Sequence, residues 1–125
     1  MVSDLHRAVE LSPQPAVARR ELRHLLADAA WDGDVDGAIL AVHEAMVNAQ
    51  RHGGGVTSAS ASFEGPALGV EVSDRGRGFQ VPESPGTADV TAERGRGLFL
   101  IRQLTADAQI VRTGGGVRLV LTFRG

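Results

Sequence analysis

Apolar and polar residues alternate at the start of the chain, and further along the apolar positions recur with the period of a helix. Residues 4–11 (DLHRAVEL) alternate in this way, which predicts a β-strand ended by Ser12 and Pro13. A helix is expected from about Pro15 to Ala30. Its apolar residues form one stripe at helical spacing, namely Val17, Leu22, Leu25, Leu26 and Ala29.

A second helix is predicted after the Asp-Gly-Asp break at residues 32–34. Asp34 or Asp36 can cap its start, because a short polar side chain accepts hydrogen bonds from the free N–H groups of a helix N-terminus. The helix is expected to continue to about Arg51, with Ile39, Leu40, Val42, Met46 and Val47 as its main apolar residues. The three glycines at 53–55 are expected to end it, since glycine accepts left-handed backbone geometry.

Four strands and one short helix are predicted in the second half of the chain. The helix is expected over 96–106, and the strand-like runs cover 56–64, 68–74, 108–113 and 117–123. Residues 79–94 contain prolines and a glycine without apolar periodicity, which predicts a mobile loop. The sum is an α/β two-layer sandwich in which helices cover one face of a mostly antiparallel, mixed sheet.

Composition narrows the classes of protein that the chain can represent. Its 125 residues predict a single domain over 1–125. The absence of cysteine excludes disulfides and thiolate metal sites. All 13 basic residues are arginine, which also excludes a lysine-ended phosphate loop and a lysine Schiff base. A net charge of −2, no bilayer-length apolar stretch and no secretion signal predict a cytoplasmic protein without direct nucleic-acid or membrane binding.

Glu44 and Asn48 lie four positions apart on the second predicted helix, so their side chains share one face. Asn48 offers a neutral oxygen suited to Mg²⁺, and Glu44 could polarise a hydroxyl or water near a terminal phosphate. The pair could also be a polar helix face that only meets water, although Leu40 and Val47 flank Glu44 with apolar side chains. A zinc-protease motif starting at His43 is excluded, because it requires histidine at position 47.

Asp74 follows an alternating strand and opens the sequence DRGRGF, residues 74–79. A carboxylate at a strand end can accept a hydrogen bond from the exocyclic amine of adenine. Gly76 and Gly78 would let the backbone pass close to the base. Aspartate and glycine are equally favoured in a simple surface turn, so this cluster alone leaves both interpretations open.

Gly95-Arg96-Gly97-Leu98 is expected to open a helix whose free N–H groups point at an anion. Arg94 and Arg96 could add charge-assisted hydrogen bonds to phosphates. An ordinary loop-to-helix junction would show the same pattern. Together the three clusters offer a metal ligand, an acid that can recognise a base, and backbone N–H groups that can bind phosphates. They therefore predict a site for ATP with Mg²⁺.

In this order the clusters resemble the motifs of the GHKL (Bergerat-fold) ATPases, and among them the stand-alone serine kinases that act as anti-sigma factors. Residues 44–53 (EAMVNAQRHG) resemble the N box, 73–79 (SDRGRGF) the first glycine box and 93–104 (ERGRGLFLIRQL) the second. The resemblance implies the histidine-kinase-like ATPase fold, with Mg-ATP bound between the N-box helix and a lid.

The resemblance also implies a role for each matched position. Glu44 would be the general base, Asn48 the Mg²⁺ ligand and Asp74 the adenine contact. The remaining cofactor-binding residues would border the base and phosphates, namely Gly76, Gly78, Arg94, Gly95, Gly97 and Leu98. The implied partners are a STAS-domain anti-anti-sigma factor, phosphorylated on serine, and an RNA polymerase sigma factor. Such relatives commonly dimerise, so a second copy of the chain is a further implied partner.

One family feature has no direct counterpart. Relatives usually carry a threonine whose hydroxyl supports the adenine-side aspartate, whereas residues 114–117 here read GGGV. The hydroxyl is therefore either absent or supplied by Thr113 or Thr122. Two other functions stay open on the sequence, an ATP-gated protein-binding switch with little or no kinase activity and the catalytic domain of a histidine kinase.

Overall fold

The computed structural model describes residues 8–76 and 92–125, with side chains for all of these except 92–97. Within these ranges the chain forms three helices and five strands. In order they are β1 (Val9–Leu11), α1 (Pro15–Asp28), α2 (Val35–His52), β2 (Val56–Glu64), β3 (Ala67–Asp74), α3 (Ala92–Leu104), β4 (Asp107–Thr113) and β5 (Gly116–Phe123). None of the helices in the described ranges combines the length and apolarity needed to cross a bilayer.

The strands form one sheet in the order β1-β2-β3-β5-β4, and every neighbouring pair is antiparallel. Buried side chains alternate along β2, β3 and β5, as they do in a sheet with one covered face. The helices supply Leu22, Leu26, Val42, Met46 and Ile101 to the same core as Leu68, Val70, Val72 and Leu121 of the sheet. The predicted α/β architecture, with helices on one face of an antiparallel sheet, is confirmed.

The opposite face of the sheet is polar. Serine occupies positions 58, 60 and 62 of β2, which alternate with the core positions Ala59 and Ala61. Across β3 and β5, Glu71 and Arg118 form an ion pair of 3.5 Å. Serine hydroxyls and charged groups keep their hydration there, so this period-two pattern fixes which face the helices cover.

Both ends of α2 are set by local chemistry. The Asp34 side chain accepts a hydrogen bond of 3.0 Å from the Gly37 N–H, which identifies Asp34 as the N-cap. Asp36 instead pairs with Arg23 of α1 at 3.2 Å. After His52 the chain turns through Gly54 and Gly55 (φ of 82° and 106°), a left-handed backbone that other residues rarely adopt.

Three sequence predictions about these elements differ from the structure, two of them on where an element begins. The first strand begins at Val9, with Ala8 outside it and residues 4–7 outside the described part of the chain. The side chain of Leu40, predicted as a main apolar residue of α2, is 42% exposed. The third helix begins at Ala92 rather than 96, so the last three residues of the predicted loop are helical. Residues 92–94 are Ala, Glu and Arg, all strong helix formers, and α3 packs against α2.

Candidate nucleotide-binding site

Helix α2 presents Glu44 and Asn48 on one face, and both residues are half-buried. The Nδ2 atom of Asn48 is fully buried, and it has no hydrogen-bond partner among the described residues. A buried amide donor without a partner costs about 1–3 kcal/mol, so such groups are normally satisfied by something. The Asn48 amide is therefore a group that a ligand could satisfy.

Asp74 lies at the end of β3 and is half-buried. It continues the alternation of Val70 and Val72, which places its side chain on the face that the helices cover. Its Oδ1 accepts a hydrogen bond of 2.6 Å from the Gly76 N–H. Gly76 has φ of 74°, so a glycine is needed for the chain to turn here. Gly78, the other glycine of this cluster, lies outside the described residues.

The fold brings the N-box helix to Asp74. The Asp74 carboxylate lies against the backbone of Gly53, the C-cap of α2, so closely that a methyl group at position 53 would overlap it. Asn48 precedes Gly53 by five residues, which is about 7–8 Å along a helix axis. Asn48 therefore lies within about two helical turns of the residue that the Asp74 carboxylate contacts.

The second glycine box lies on α3, but not as predicted. Because α3 begins at Ala92, Gly95 and Gly97 are inside the helix and do not open it. The N–H groups that a helix leaves unpaired are those of its first turn, which here precede Gly95. The backbone of Arg94 lies in that first turn, and its side chain is outside the described part. Leu98 is half-buried and packs against the core.

Neither predicted source of a supporting hydroxyl lies next to Asp74. Asp74 pairs with Val117, whereas Thr122 pairs with Gly69, five positions away along the same strands. At about 3.4 Å per residue this separation is about 17 Å, so the prediction for Thr122 is wrong. Thr113 is exposed at the end of β4, and β5 lies between β4 and β3.

Two residues that contact Asp74 were missed from the sequence, Gly53 and Gly116. A methyl group at either position would collide with Asp74, with its carboxylate in the first case and its backbone carbonyl in the second. Both belong to three-glycine runs, at 53–55 and 114–116. In the sequence the first run indicates a helix stop, and the second stands where relatives carry a threonine. Only the tertiary structure shows that both meet the same aspartate.

Asn48 fits the oxygen chemistry that Mg²⁺ requires. Among the described residues there is no cluster of three or more His, Cys, Asp or Glu that could hold a metal ion. Mg²⁺ bound to a nucleotide needs only one or two protein ligands, because phosphates and waters supply the others. The Asn48 amide oxygen is such a ligand, whereas its buried Nδ2, which has no partner in the described part of the chain, is a donor that suits an acceptor such as a phosphate oxygen.

The sequence matches the family described as histidine kinase-like ATPase domain over residues 10–123. The chain belongs to this family. A solved structure with the same fold is the crystal structure of the RsbU and RsbW domains of Rv1364c from Mycobacterium tuberculosis, with a TM-score of 0.65 and 23% identity. The similarity covers 94% of this chain and 32% of that one, so the chain spans about a third of that protein's resolved length. Comparison with curated proteins gives no match.

As a histidine kinase-like ATPase domain, the chain has the fold and the superfamily that its three motifs predict. The family match extends from β1 to the last residue of β5, and therefore includes the N box and both glycine boxes. ATP is the nucleotide of this family of ATPase domains.

Proposed function

We propose that this ATPase domain is a protein serine kinase that phosphorylates a STAS-domain anti-anti-sigma factor and sequesters an RNA polymerase sigma factor. The observation that carries the proposal is the placement of Glu44 and Asn48 on one half-buried face of α2, whose C-terminal end contacts Asp74. A solved structure that contains an RsbW domain has the same fold, which is compatible with this function.

In this proposal the nucleotide is held from two sides. Asp74 would accept a hydrogen bond from the adenine amine, and the Asn48 amide oxygen would hold Mg²⁺. The metal neutralises phosphate charge when it is bound. The other contacts proposed for the base and phosphates come from the two glycine boxes, through Gly76, Gly78, Arg94, Gly95, Gly97 and Leu98.

Glu44 is proposed to act on the attacking group. Its carboxylate accepts the proton of the partner's serine hydroxyl while the serine oxygen forms a bond to the γ-phosphorus. The bond from that phosphorus to the β,γ-bridging oxygen breaks, and ADP leaves with the electron pair. Positioning and charge neutralisation supply most of the catalysis in phosphoryl transfer, so one misplaced base is expected to be costly.

The test uses Glu44→Ala with radiolabelled ATP and candidate STAS-domain partners. We expect Mg-ATP affinity to stay within about 2-fold of the wild type, while transfer falls by about 100-fold or more, the typical contribution of a general base. Glu64→Ala is a matched control, because Glu64 is an exposed glutamate at the end of β2. Undiminished transfer by Glu44→Ala would remove Glu44 from the mechanism.

A second candidate function is an ATP-gated binding switch without catalysis. The position of Thr122 favours it, because that hydroxyl lies at the opposite end of β5 from Asp74. The same radiolabel experiment separates the two functions. A switch forms nucleotide-dependent complexes with its partners and transfers no label, whereas the kinase labels the STAS-domain protein.

A further inference from the structure

Asp74 is held within the sheet on both sides. It pairs with Val56 on β2 and with Val117 on β5, so it lies on a central strand and not at an edge. Its carboxylate accepts the Gly76 N–H at 2.6 Å, which fixes the rotation of the side chain. The orientation of this carboxylate is therefore a property of the surrounding backbone.

Gly53 lies against the carboxylate of Asp74. Its N–H donates to the Ala49 carbonyl oxygen at 2.9 Å, which ends α2. Its φ of −99° is open to any residue, so local conformation does not require glycine at this position. The requirement comes from tertiary contact instead, because a methyl group would overlap Cγ and Oδ2 of Asp74.

Gly116, where β5 begins, lies against the backbone of Asp74. A methyl group at Gly116 would overlap the Asp74 carbonyl oxygen and lie 3.0 Å from the Arg75 carbonyl carbon. A methyl group at Gly76 would in turn lie 3.2 Å from the Gly116 Cα. The backbone of residues 74–76 is thus in close contact with β5, and movement of the turn would require movement of that strand.

We infer that Gly53 and Gly116 are positioning residues that set the base preference of the site through Asp74, an inference that rests on the proposed ATP-binding function. Gly53 fixes where the carboxylate lies, and Gly116 fixes the backbone that carries it. A carboxylate held in this orientation accepts a hydrogen bond from the 6-amino group of adenine. It repels the 6-oxo group of hypoxanthine or guanine, because both groups are acceptors.

The experiment measures calorimetric binding of Mg-ATP and Mg-ITP, which differ at position 6 of the base. The variant is Gly53→Ala. We expect it to bind ATP about 10- to 100-fold more weakly, the range for a lost hydrogen bond to a charged group, and ITP within about 2-fold of the wild type. The ratio of the two affinities reports on the carboxylate, and a general structural defect would weaken both nucleotides alike.

Two glycines offer matched controls. A methyl group at Gly69 of β3 meets nothing closer than the Ser62 Oγ at 3.6 Å, an ordinary contact. A methyl group at Gly114, two residues before Gly116, meets nothing within 4 Å. We expect Gly69→Ala and Gly114→Ala to keep the wild-type ATP-over-ITP preference, whereas Gly116→Ala lowers it.

A double variant keeps the inference testable if Gly53→Ala folds poorly. Gly53→Ala combined with Asp74→Ala removes the carboxylate that the new methyl group would meet. Its melting temperature is expected to approach that of Asp74→Ala alone, because the clash with the carboxylate is relieved and only the 2.9 Å contact with the Ala49 carbonyl oxygen remains. A double variant as unstable as Gly53→Ala would overturn the inference.

Failure of the inference differs from failure of the proposed function. If the wild type binds no Mg-ATP, both fail together. If the wild type binds ATP and Gly53→Ala keeps the same preference over ITP, only the inference fails. The result that supports both is ATP binding by the wild type, with its preference over ITP lost in Gly53→Ala and in Gly116→Ala.

Discussion

The buried amide of Asn48 predicts that this residue lowers the stability of the protein without nucleotide. Its Nδ2 has no hydrogen-bond partner among the described residues, although it is fully buried. Leucine has the same branched arrangement of four side-chain heavy atoms and no polar atoms, so Asn48→Leu removes an unpaired donor whose burial costs about 1–3 kcal/mol. Asn48 as a whole residue is only half-buried, so we take the lower end of this range, a destabilisation of about 1 kcal/mol. The better helix propensity of leucine adds about 0.4 kcal/mol.

These magnitudes translate into a measurable shift of the melting temperature. A chain of 125 residues has an unfolding entropy of about 0.26 kcal/mol/K, so 1 kcal/mol corresponds to about 4 °C. Asn48→Leu is therefore expected to melt about 5–6 °C above the wild type without nucleotide. With Mg-ATP at 100 times its Kd, the wild type gains about 2.7 kcal/mol, or about 10 °C, which the variant loses with its metal ligand.

The assay is thermal denaturation of both proteins with and without Mg-ATP, and the signature is a reversal of their order. Gln50→Leu is the control, because Gln50 is exposed on the same helix and glutamine and leucine have similar helix propensities. A variant that melts several degrees below the wild type without nucleotide would show that the Asn48 amide is satisfied in the folded protein. A variant that still gains about 10 °C with Mg-ATP would show that Asn48 does not hold the metal.

Two further predictions concern the parts of the fold that support the site. Asp34→Ala removes the cap on Gly37 N–H and is expected to cost about 1 kcal/mol in a urea titration, whereas Asp32→Ala, at an exposed position outside the helix, should have little effect. Equal losses would contradict the capping assignment. Trp31→Phe removes the hydrogen bond of 2.9 Å from Nε1 to the Pro66 carbonyl and is expected to cost about 0.5–1.5 kcal/mol in chemical denaturation. Unchanged stability would show that this bond contributes nothing.

Local patterns in the sequence were enough to predict most of the fold. The alternation in β2 and β3 predicts their bounds within a residue, because a strand with one covered face must alternate. The stripe of α1 and the Asp34 cap likewise depend on residues a few positions apart. Where local propensity and tertiary packing compete, the prediction was wrong. Glycines 95 and 97 indicated a helix start, but α3 begins upstream and packs on α2.

The sequence by itself determined the residue types of the candidate site: a glutamate and an asparagine on one helical face, and an aspartate at the end of a strand. Only the tertiary structure decided which residues surround that aspartate. The order β2-β3-β5 places Val56 and Val117 beside Asp74, brings Gly53 and Gly116 against it, and places Thr122 at the far end. Strand order and register are relations between segments distant in the chain, and they follow from how all the buried faces pack together, which no local pattern encodes.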